Sequence, residues 1–349
     1  MLALQKTSPS PGLDLLDVPE PRPPVGAEVL VRVEAAGICG SDLHVEEFSA
    51  GYDFMRPHLP VTLGHEFAGV VQAVGPEVTG VTPGDRVTIW PSSPCGNCAA
   101  CQDGQPQNCS DKRTLGLMRN GAFAPWVLAR AAGIFPLPDT VDFELGALTE
   151  PLCVAARAVA TGGVRQDDRV IVLGPGTIGQ GIAAMARLAG AKEVIIAGFD
   201  DAARLETCRA LGFEHVIDLA DSEGAAELKR LGGYADVVFE ATGKAASITD
   251  GLSLLRIEGI LVLTGIHSAE AAFDPTTLVR RKLQIRGSHG SRREDWTRVV
   301  TLLERHGESL RPMISHRLPL TEVLAGFALA HGRAASKVMI FPQMEGLPR

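Results

Sequence analysis

The sequence lacks both a long apolar run and an excess of basic residues. No stretch of about 18 apolar residues occurs in the 349-residue chain, so we expect no membrane-spanning helix. The formal net charge is −8, which argues against a nucleic-acid partner because no basic excess is available to neutralise phosphates. The first residues show no charged segment followed by an apolar one, so we predict no secretory signal peptide.

Cysteine is also scarce, with seven in the whole chain. An odd total, with some of the thiols clustered, fits metal thiolates in a reducing compartment better than disulfides, so we expect a cytoplasmic protein. The length exceeds what one hydrophobic core usually serves, which predicts two domains.

Four of the cysteines are concentrated in a polar, glycine-containing segment. The spacing is C-x2-C-x2-C-x7-C, formed by Cys95, Cys98, Cys101 and Cys109. Unrelated buried thiols or a disulfide pair are the alternatives, but the segment has the composition of a loop rather than of a core. Four thiolates suit one tetrahedral zinc ion and leave no position for a substrate. We therefore predict a structural zinc site and expect the chemistry elsewhere.

The pattern of apolar residues changes along the chain. Residues 1–90 read as short strands separated by Pro and Gly, and 121–138 continue in that style. Helical periodicity begins near residue 144. From residue 169 strands alternate with helical stretches, which predicts an α/β fold with a doubly wound parallel sheet. Residues 292–349 read as two helices and a closing strand at 337–341.

A dinucleotide-binding fingerprint follows the first strand of this alternating region. Gly174, Gly176 and Gly179 form G-x-G-x-x-G between an apolar strand and a helix, which is the context that makes the pattern specific. The amide groups at the start of that helix, including those of Thr177 and Ile178, are expected to face the phosphates. Later strand ends at the same edge of the sheet add further predicted cofactor contacts, namely Thr242, Gly265 and Ile266.

The residue expected to bind the adenosine ribose is less clearly defined. The second strand ends at Gly198, where an acidic residue is typical of NAD-binding proteins. Arg204 nearby would accept a 2′-phosphate, whereas Asp200 and Asp201 would repel one. We predict NAD as the cofactor, with Asp200 and Arg204 in the site and NADP as the alternative.

A second, open metal site is indicated by single Cys and His residues outside the cysteine cluster. Cys39 and His65, with a third group from 150–153, would provide three protein ligands and leave a position for substrate, as in catalytic zinc sites. Each residue alone is more often a buried thiol or a core histidine, so the prediction depends on their occurrence together.

The sequence resembles the zinc-dependent medium-chain dehydrogenase/reductase family of the alcohol dehydrogenase superfamily over essentially its whole length. The matching stretches are GICGSDLH (37–44), LGHEFAG (63–69), CGNCAACQDGQPQNC (95–109), GALTEPL (146–152) and VLGPGTIG (172–179). The resemblance implies a GroES-like β domain formed by 1–155 with 295–349, and a Rossmann domain at 156–294. It also implies two zinc ions per chain and a homodimer or homotetramer.

Within that family the Glu-Pro-Leu segment resembles the sorbitol and threonine dehydrogenase branch. This likeness implies Glu150 as the third catalytic zinc ligand, with Cys153 as the alternative and Glu66 as an adjacent or exchanging ligand. Ser41 matches the position that passes the substrate proton through the nicotinamide ribose to His44.

Branch membership also indicates the substrate. A polyol or sugar alcohol oxidised at a secondary alcohol is the expected substrate, and a β-hydroxy amino acid such as threonine is the alternative. The rival of another class is a non-catalytic cofactor-binding protein on the same fold.

Overall fold

The computed structural model describes residues 1–49 and 51–344. The chain divides into two compact units, one formed by Met1–Glu150 together with the chain from Trp296 onward, and the other by Pro151–Asp295. None of the described helices combines the length and the apolar character that a membrane-spanning helix needs.

The first unit is built mainly from short strands. In chain order its strands up to residue 136 are β1 (Leu2–Lys6), β2 (Asp14–Asp17), β3 (Glu28–Gly37), β4 (Val61–Thr62), β5 (Glu66–Val74), β6 (Arg86–Ile89), β7 (Trp126–Arg130) and β8 (Ile134–Pro136). The helices that accompany them are α1 (Gly40–Glu47), α2 (Ala99–Gln102) and α3 (Phe143–Ala147), and α4 (Thr149–Gly162) follows.

The second unit alternates strands and helices. Its strands are β9 (Arg169–Leu173), β10 (Glu193–Gly198), β11 (His215–Asp218), β12 (Ala235–Glu240), β13 (Leu255–Leu263) and β14 (Gln284–Gly287). Its helices are α5 (Thr177–Leu188), α6 (Ala202–Ala210), α7 (Ser222–Arg230), α8 (Ala245–Leu254) and α9 (Pro275–Arg280). The chain continues with α10 (Arg293–Leu310), β15 (Ile314–Pro319), α11 (Val323–His331) and β16 (Lys337–Phe341).

Strand β3 lies at the centre of the larger sheet of the first unit, and its residues alternate between two environments. Val29, Val31 and Val33 are fully buried, and the residues between them are partly exposed. The seven-stranded sheet has the order β15-β16-β3-β5-β6-β8, and β7 also pairs with β3. A smaller sheet has the order β2-β1-β4. The C-terminal strand β16 thus adds to the sheet that β3 organises, through antiparallel pairing of Met339 with Gly37.

The second unit contains a six-stranded parallel sheet with the order β11-β10-β9-β12-β13-β14. This is the doubly wound order of a dinucleotide-binding sheet, and it confirms the predicted fold class. Strand β13 begins irregularly at Leu255. Leu255 pairs with Ala235, and Glu258, with a φ of 65°, marks the irregular entry before the regular ladder resumes at Ile260.

Candidate active site and metal centres

The four clustered cysteines converge in the loop between β6 and β7. The Sγ atoms of Cys95, Cys98, Cys101 and Cys109 lie within 4.8 Å of one another. The sulfurs of Cys95 and Cys109 are 3.5 Å apart. A zinc tetrahedron with Zn–S distances of about 2.3 Å has sulfur–sulfur edges of about 3.8 Å. The four thiols therefore have a spacing that fits one zinc ion.

Hydrogen bonding in this loop favours thiolates. The amide of Cys95 donates to the sulfur of Cys109 at 3.3 Å. Amide donors from Ser110 and Cys101 lower the pKa of Cys98 to about 6. Desolvation and the neighbouring thiols raise the pKa of Cys101 to about 12, because another negative charge in the cluster is unfavourable without a cation. The donor set and its electrostatics fit a closed structural zinc site.

A second group of potential metal ligands forms where β3 and β5 pair. Gly37, the last residue of β3, is paired with Glu66, the first residue of β5. This register places Cys39, just after β3, beside His65 and Glu66, so that one ligand atom from each lies within 4.8 Å of the others. A thiol, an imidazole and a carboxylate are the ligand types that zinc accepts in catalytic sites.

Two neighbours on α1 orient the imidazole of His65. The Asp42 side chain is fully buried, and its Oδ2 accepts a hydrogen bond from the amide of Cys39 at 2.9 Å. Its Oδ1 lies 3.5 Å from Nδ1 of His65, and Ser41 Oγ lies 3.2 Å from Nε2 of the same ring. A carboxylate behind a metal-binding histidine holds the ring orientation and raises its basicity.

A residue that the sequence analysis did not single out, Lys337, completes this centre. Its ammonium group is buried at the start of β16 and donates to Glu66 Oε2 at 2.5 Å and to the carbonyl of Ile38 at 2.8 Å. Burial alone would lower the pKa of Lys337, but Glu66 and Cys39 outweigh it and raise that pKa above its ordinary value. Glu66 Oε1 is buried without a hydrogen-bond partner among the described residues, which leaves it available to a cation.

Glu150 lies at the start of α4, outside the cluster formed by Cys39, His65 and Glu66. Burial raises its carboxyl pKa to about 7; His65 opposes this rise and Glu66 adds to it. Its charge is thus coupled to the cluster, while its role as the third zinc ligand stays a prediction. Cys153, the alternative, is fully buried in the part of α4 that belongs to the second unit.

The predicted proton-relay residues lie three positions apart on α1. Ser41 contacts His65, as described above. His44 is partly buried, with its Nδ1 3.4 Å from Ser49 Oγ and its ring stacked on Tyr52 at a centroid distance of 6.1 Å. Among the described residues Ser41 and His44 share no direct hydrogen bond, so any transfer between them needs an intermediary.

The fingerprint turn of the second unit has the shape that a pyrophosphate requires. Gly174 has a φ of 110°, a conformation that favours glycine. A Cβ on Gly179 would overlap the carbonyl of Gly174, so only glycine permits α5 to approach β9 this closely. Helix α5 begins at Thr177, followed by Ile178, and it is capped by Gly176 without a side-chain bond. The amide groups at a helix start are suited to an anionic ligand.

The end of β10 has no room for the carboxylate typical of NAD-binding sheets. A Cβ on Gly198 would lie 2.7 Å from a ring carbon of Pro175 in the fingerprint turn. Asp200 lies beyond it with a φ of 50° and is exposed. Arg204 is held by the buried carboxylate of Asp201 through a 2.6 Å bond from Nε and a second, shorter contact.

The other predicted cofactor residues follow β12 and β13, at the same edge of the sheet. A Cβ on Gly265 would lie 2.4 Å from the amide nitrogen of Gly243, so the two turns are in direct contact. Thr242 and Ile266 are exposed on these turns. The structure therefore brings Thr242, Gly265 and Ile266 to the carboxyl edge where a dinucleotide lies in this class of fold.

Comparison with known proteins agrees with this geometry. Residues 26–139 match the alcohol dehydrogenase GroES-like domain, and residues 177–305 match the zinc-binding dehydrogenase family. A sorbitol dehydrogenase from Halalkalibacterium halodurans is 32% identical over 98% of this chain and 99% of its own length. The chain belongs to the medium-chain dehydrogenase/reductase family.

Further members of the family show the same extent of similarity. An L-threonine 3-dehydrogenase from Saccharopolyspora erythraea is 33% identical over 97% of this chain and 98% of its own length. A zinc-binding dehydrogenase from Sinorhizobium meliloti, solved with NADP bound, is 30% identical with a TM-score of 0.85, covering 98% of this chain and 99% of that one. The protein is thus a zinc-dependent oxidoreductase that uses a nicotinamide dinucleotide, as predicted.

Proposed function

We propose that this dehydrogenase oxidises a secondary alcohol of a polyol or sugar alcohol and transfers the hydride to NAD. The observation that carries the proposal is the convergence of Cys39, His65 and Glu66, with the charge of Glu150 coupled to them. In the proposed assignment Cys39, His65 and Glu150 hold the catalytic zinc, and Glu66 is an exchanging ligand. The cysteine cluster at 95–109 holds the structural zinc.

A zinc ion bound here would act as a Lewis acid that lowers the pKa of the substrate hydroxyl. The chain's own residues provide the surroundings for this chemistry. Asp42 orients the His65 ring, and Lys337 offsets part of the negative charge carried by the ligands. Ser41 and His44 carry the substrate proton toward solvent, since an imidazole transfers protons efficiently near neutral pH.

The substrate class rests on similarity within the family. The sorbitol dehydrogenase relative, at 32% identity, supports a polyol, and the threonine dehydrogenase relative, at 33% identity, supports the second candidate, a β-hydroxy amino acid. Reduction of NAD by the purified enzyme over a panel of sugar alcohols, short diols and L-threonine distinguishes them. A higher kcat/KM for L-threonine than for every polyol would overturn the proposal. Two bound zinc ions without turnover of any alcohol would indicate a non-catalytic cofactor-binding protein.

NAD is proposed over NADP on electrostatic grounds. The charge of Arg204 is paired with Asp201, and the exposed Asp200 would repel a 2′-phosphate. Measuring kcat/KM with each cofactor tests this choice. A preference for NADP that disappears in Arg204→Ala would refute it and would assign Arg204 to the 2′-phosphate.

The remaining proposals concern organisation. We propose a cytoplasmic homodimer or homotetramer. Light scattering after size-exclusion chromatography would measure its mass and distinguish the two. The proposed domains are 1–155 with 295–349 for catalysis and 156–294 for the dinucleotide, and limited proteolysis at the two junctions would test these bounds.

A further inference from the structure

A buried carboxylate organises one of the two turns at the carboxyl edge of the parallel sheet. Glu240 is the last residue of β12, and its side chain is fully buried. Its Oε1 accepts hydrogen bonds from the Thr242 amide at 2.7 Å, the Thr242 hydroxyl at 2.5 Å and the Gly243 amide at 3.0 Å. One oxygen atom therefore holds the entire turn that follows β12.

The other oxygen of the same carboxylate reaches the second turn. Glu240 Oε2 lies 3.1 Å from Nε2 of His267, which follows the turn after β13. Within the described part of the chain neither atom has a hydrogen-bond partner, so the contact between them is a close charge contact rather than an aligned hydrogen bond. The two turns also touch through their backbones, since a Cβ on Gly243 would lie 2.6 Å from the carbonyl oxygen of Ile266. The amides of Thr264 and Gly265 already donate to the Glu240 carbonyl at 2.9 and 3.1 Å, and the contact between Glu240 and His267 adds a side-chain link farther along the second turn.

The cost of burying this carboxylate indicates what the link is for. A buried charge is unfavourable unless it is paired and hydrogen-bonded, and a sheet strand needs no charged residue at its end to form its ladder. The two turns carry the predicted cofactor contacts Thr242, Gly265 and Ile266. Turns that are already ordered lose less conformational entropy when a ligand binds, so ordering them in advance raises affinity.

We propose that Glu240 and His267 form a positioning pair that sets the affinity for the nicotinamide cofactor by fixing both turns before it binds. The pair acts through the turns and takes no part in hydride transfer. This inference rests on the predicted location of the cofactor and is independent of the polyol assignment, because NADH binding is measured without any alcohol.

The test is His267→Ala, with NADH affinity measured by fluorescence titration of the zinc-loaded enzyme. The dissociation constant for NADH and the KM for NAD should both rise by about tenfold, because the second turn loses its contact with the buried carboxylate and must be ordered when the cofactor binds. The kcat at saturating NAD should stay within about twofold, because the reacting groups are untouched. Amide hydrogen exchange of the cofactor-free protein should quicken in peptides covering 241–243 and 264–267.

Two further variants separate positioning from general stability. Glu240→Gln keeps an acceptor for the first turn and an amide group toward His267, so it should retain most of the affinity, whereas Glu240→Ala should lose it. Tyr234→Phe is the matched control. Tyr234 lies just before β12, at the edge of the sheet opposite the two turns, and the substitution removes its 2.5 Å hydrogen bond to the Glu193 carboxylate. It should leave NADH affinity unchanged.

The proposal fails if His267→Ala and a folded Glu240 variant bind NADH as the parent does, even with a lower melting temperature. It also fails if Tyr234→Phe weakens NADH binding as much as His267→Ala, since the effect would then be one of general stability. If Glu240→Ala does not fold, His267→Ala and Glu240→Gln decide the question.

Discussion

The buried ion pair between Lys337 and Glu66 leads to the most demanding prediction. Replacing Lys337 by Met removes the ammonium but keeps most of the side-chain volume. The Glu66 carboxylate is then left buried without its ammonium partner. We expect this variant to be strongly destabilised.

The magnitude follows from the burial of both groups, whose side chains are each 1% exposed. Removing one member of a buried pair costs about 3–5 kcal/mol. The first unit has roughly 200 residues, and in a domain of that size 1 kcal/mol shifts the melting temperature by about 2–4 °C. The transition of this unit should therefore move down by roughly 6–20 °C.

Differential scanning calorimetry of the zinc-loaded proteins measures this shift, and zinc content is determined alongside. Lys282→Met is the matched control, because it breaks an exposed pair with Glu258 at 3.0 Å that should contribute about 1 kcal/mol or less. The double variant Lys337→Met/Glu66→Gln should recover part of the loss, since the uncompensated charge is gone. A shift for Lys337→Met no larger than that of Lys282→Met would refute the reasoning.

Three other predictions concern the metal centres and the proton path. Cys101→Ser should lower the melting temperature and reduce the zinc content from two ions per chain to one, with activity lost only as a consequence. A normal melting temperature without turnover would contradict a structural role. Glu150→Ala should reduce kcat/KM by about 10³-fold or more and weaken catalytic zinc binding, and full activity there with a loss in Cys153→Ala would reverse the ligand assignment. His44→Ala should slow turnover by about tenfold or more, most at low pH where bulk base cannot substitute, and an unchanged pH–rate profile would count against the relay.

Local spacing made much of the protein predictable. The four cysteines lie within one loop, so their separation along the chain already limits their separation in space. The fingerprint from Gly174 to Gly179 lies between one strand and one helix, and its context was readable from apolar periodicity. Alternating strands and helices likewise predicted the parallel sheet, which the structure confirms.

Contacts between distant segments were not predictable in this way. Lys337 and Glu66 are separated by 271 residues, and they meet because β16 joins the edge of β3 while β5 joins the other side. Glu240 and His267 come together because β12 and β13 are parallel neighbours that end at the same edge. No local sequence pattern around Lys337 or His267 identifies the carboxylate that each one contacts.

The sequence by itself determined the family and predicted the chemistry and the two classes of metal site, because these depend on residue types at short, characteristic spacings. Tertiary structure decided which charges are buried together, that Pro175 excludes a side chain at Gly198, and which carboxylate holds the cofactor-edge turns. The physical reason is that burial and pairing of charge depend on strand register across the sheet, and register is a property of the folded chain as a whole.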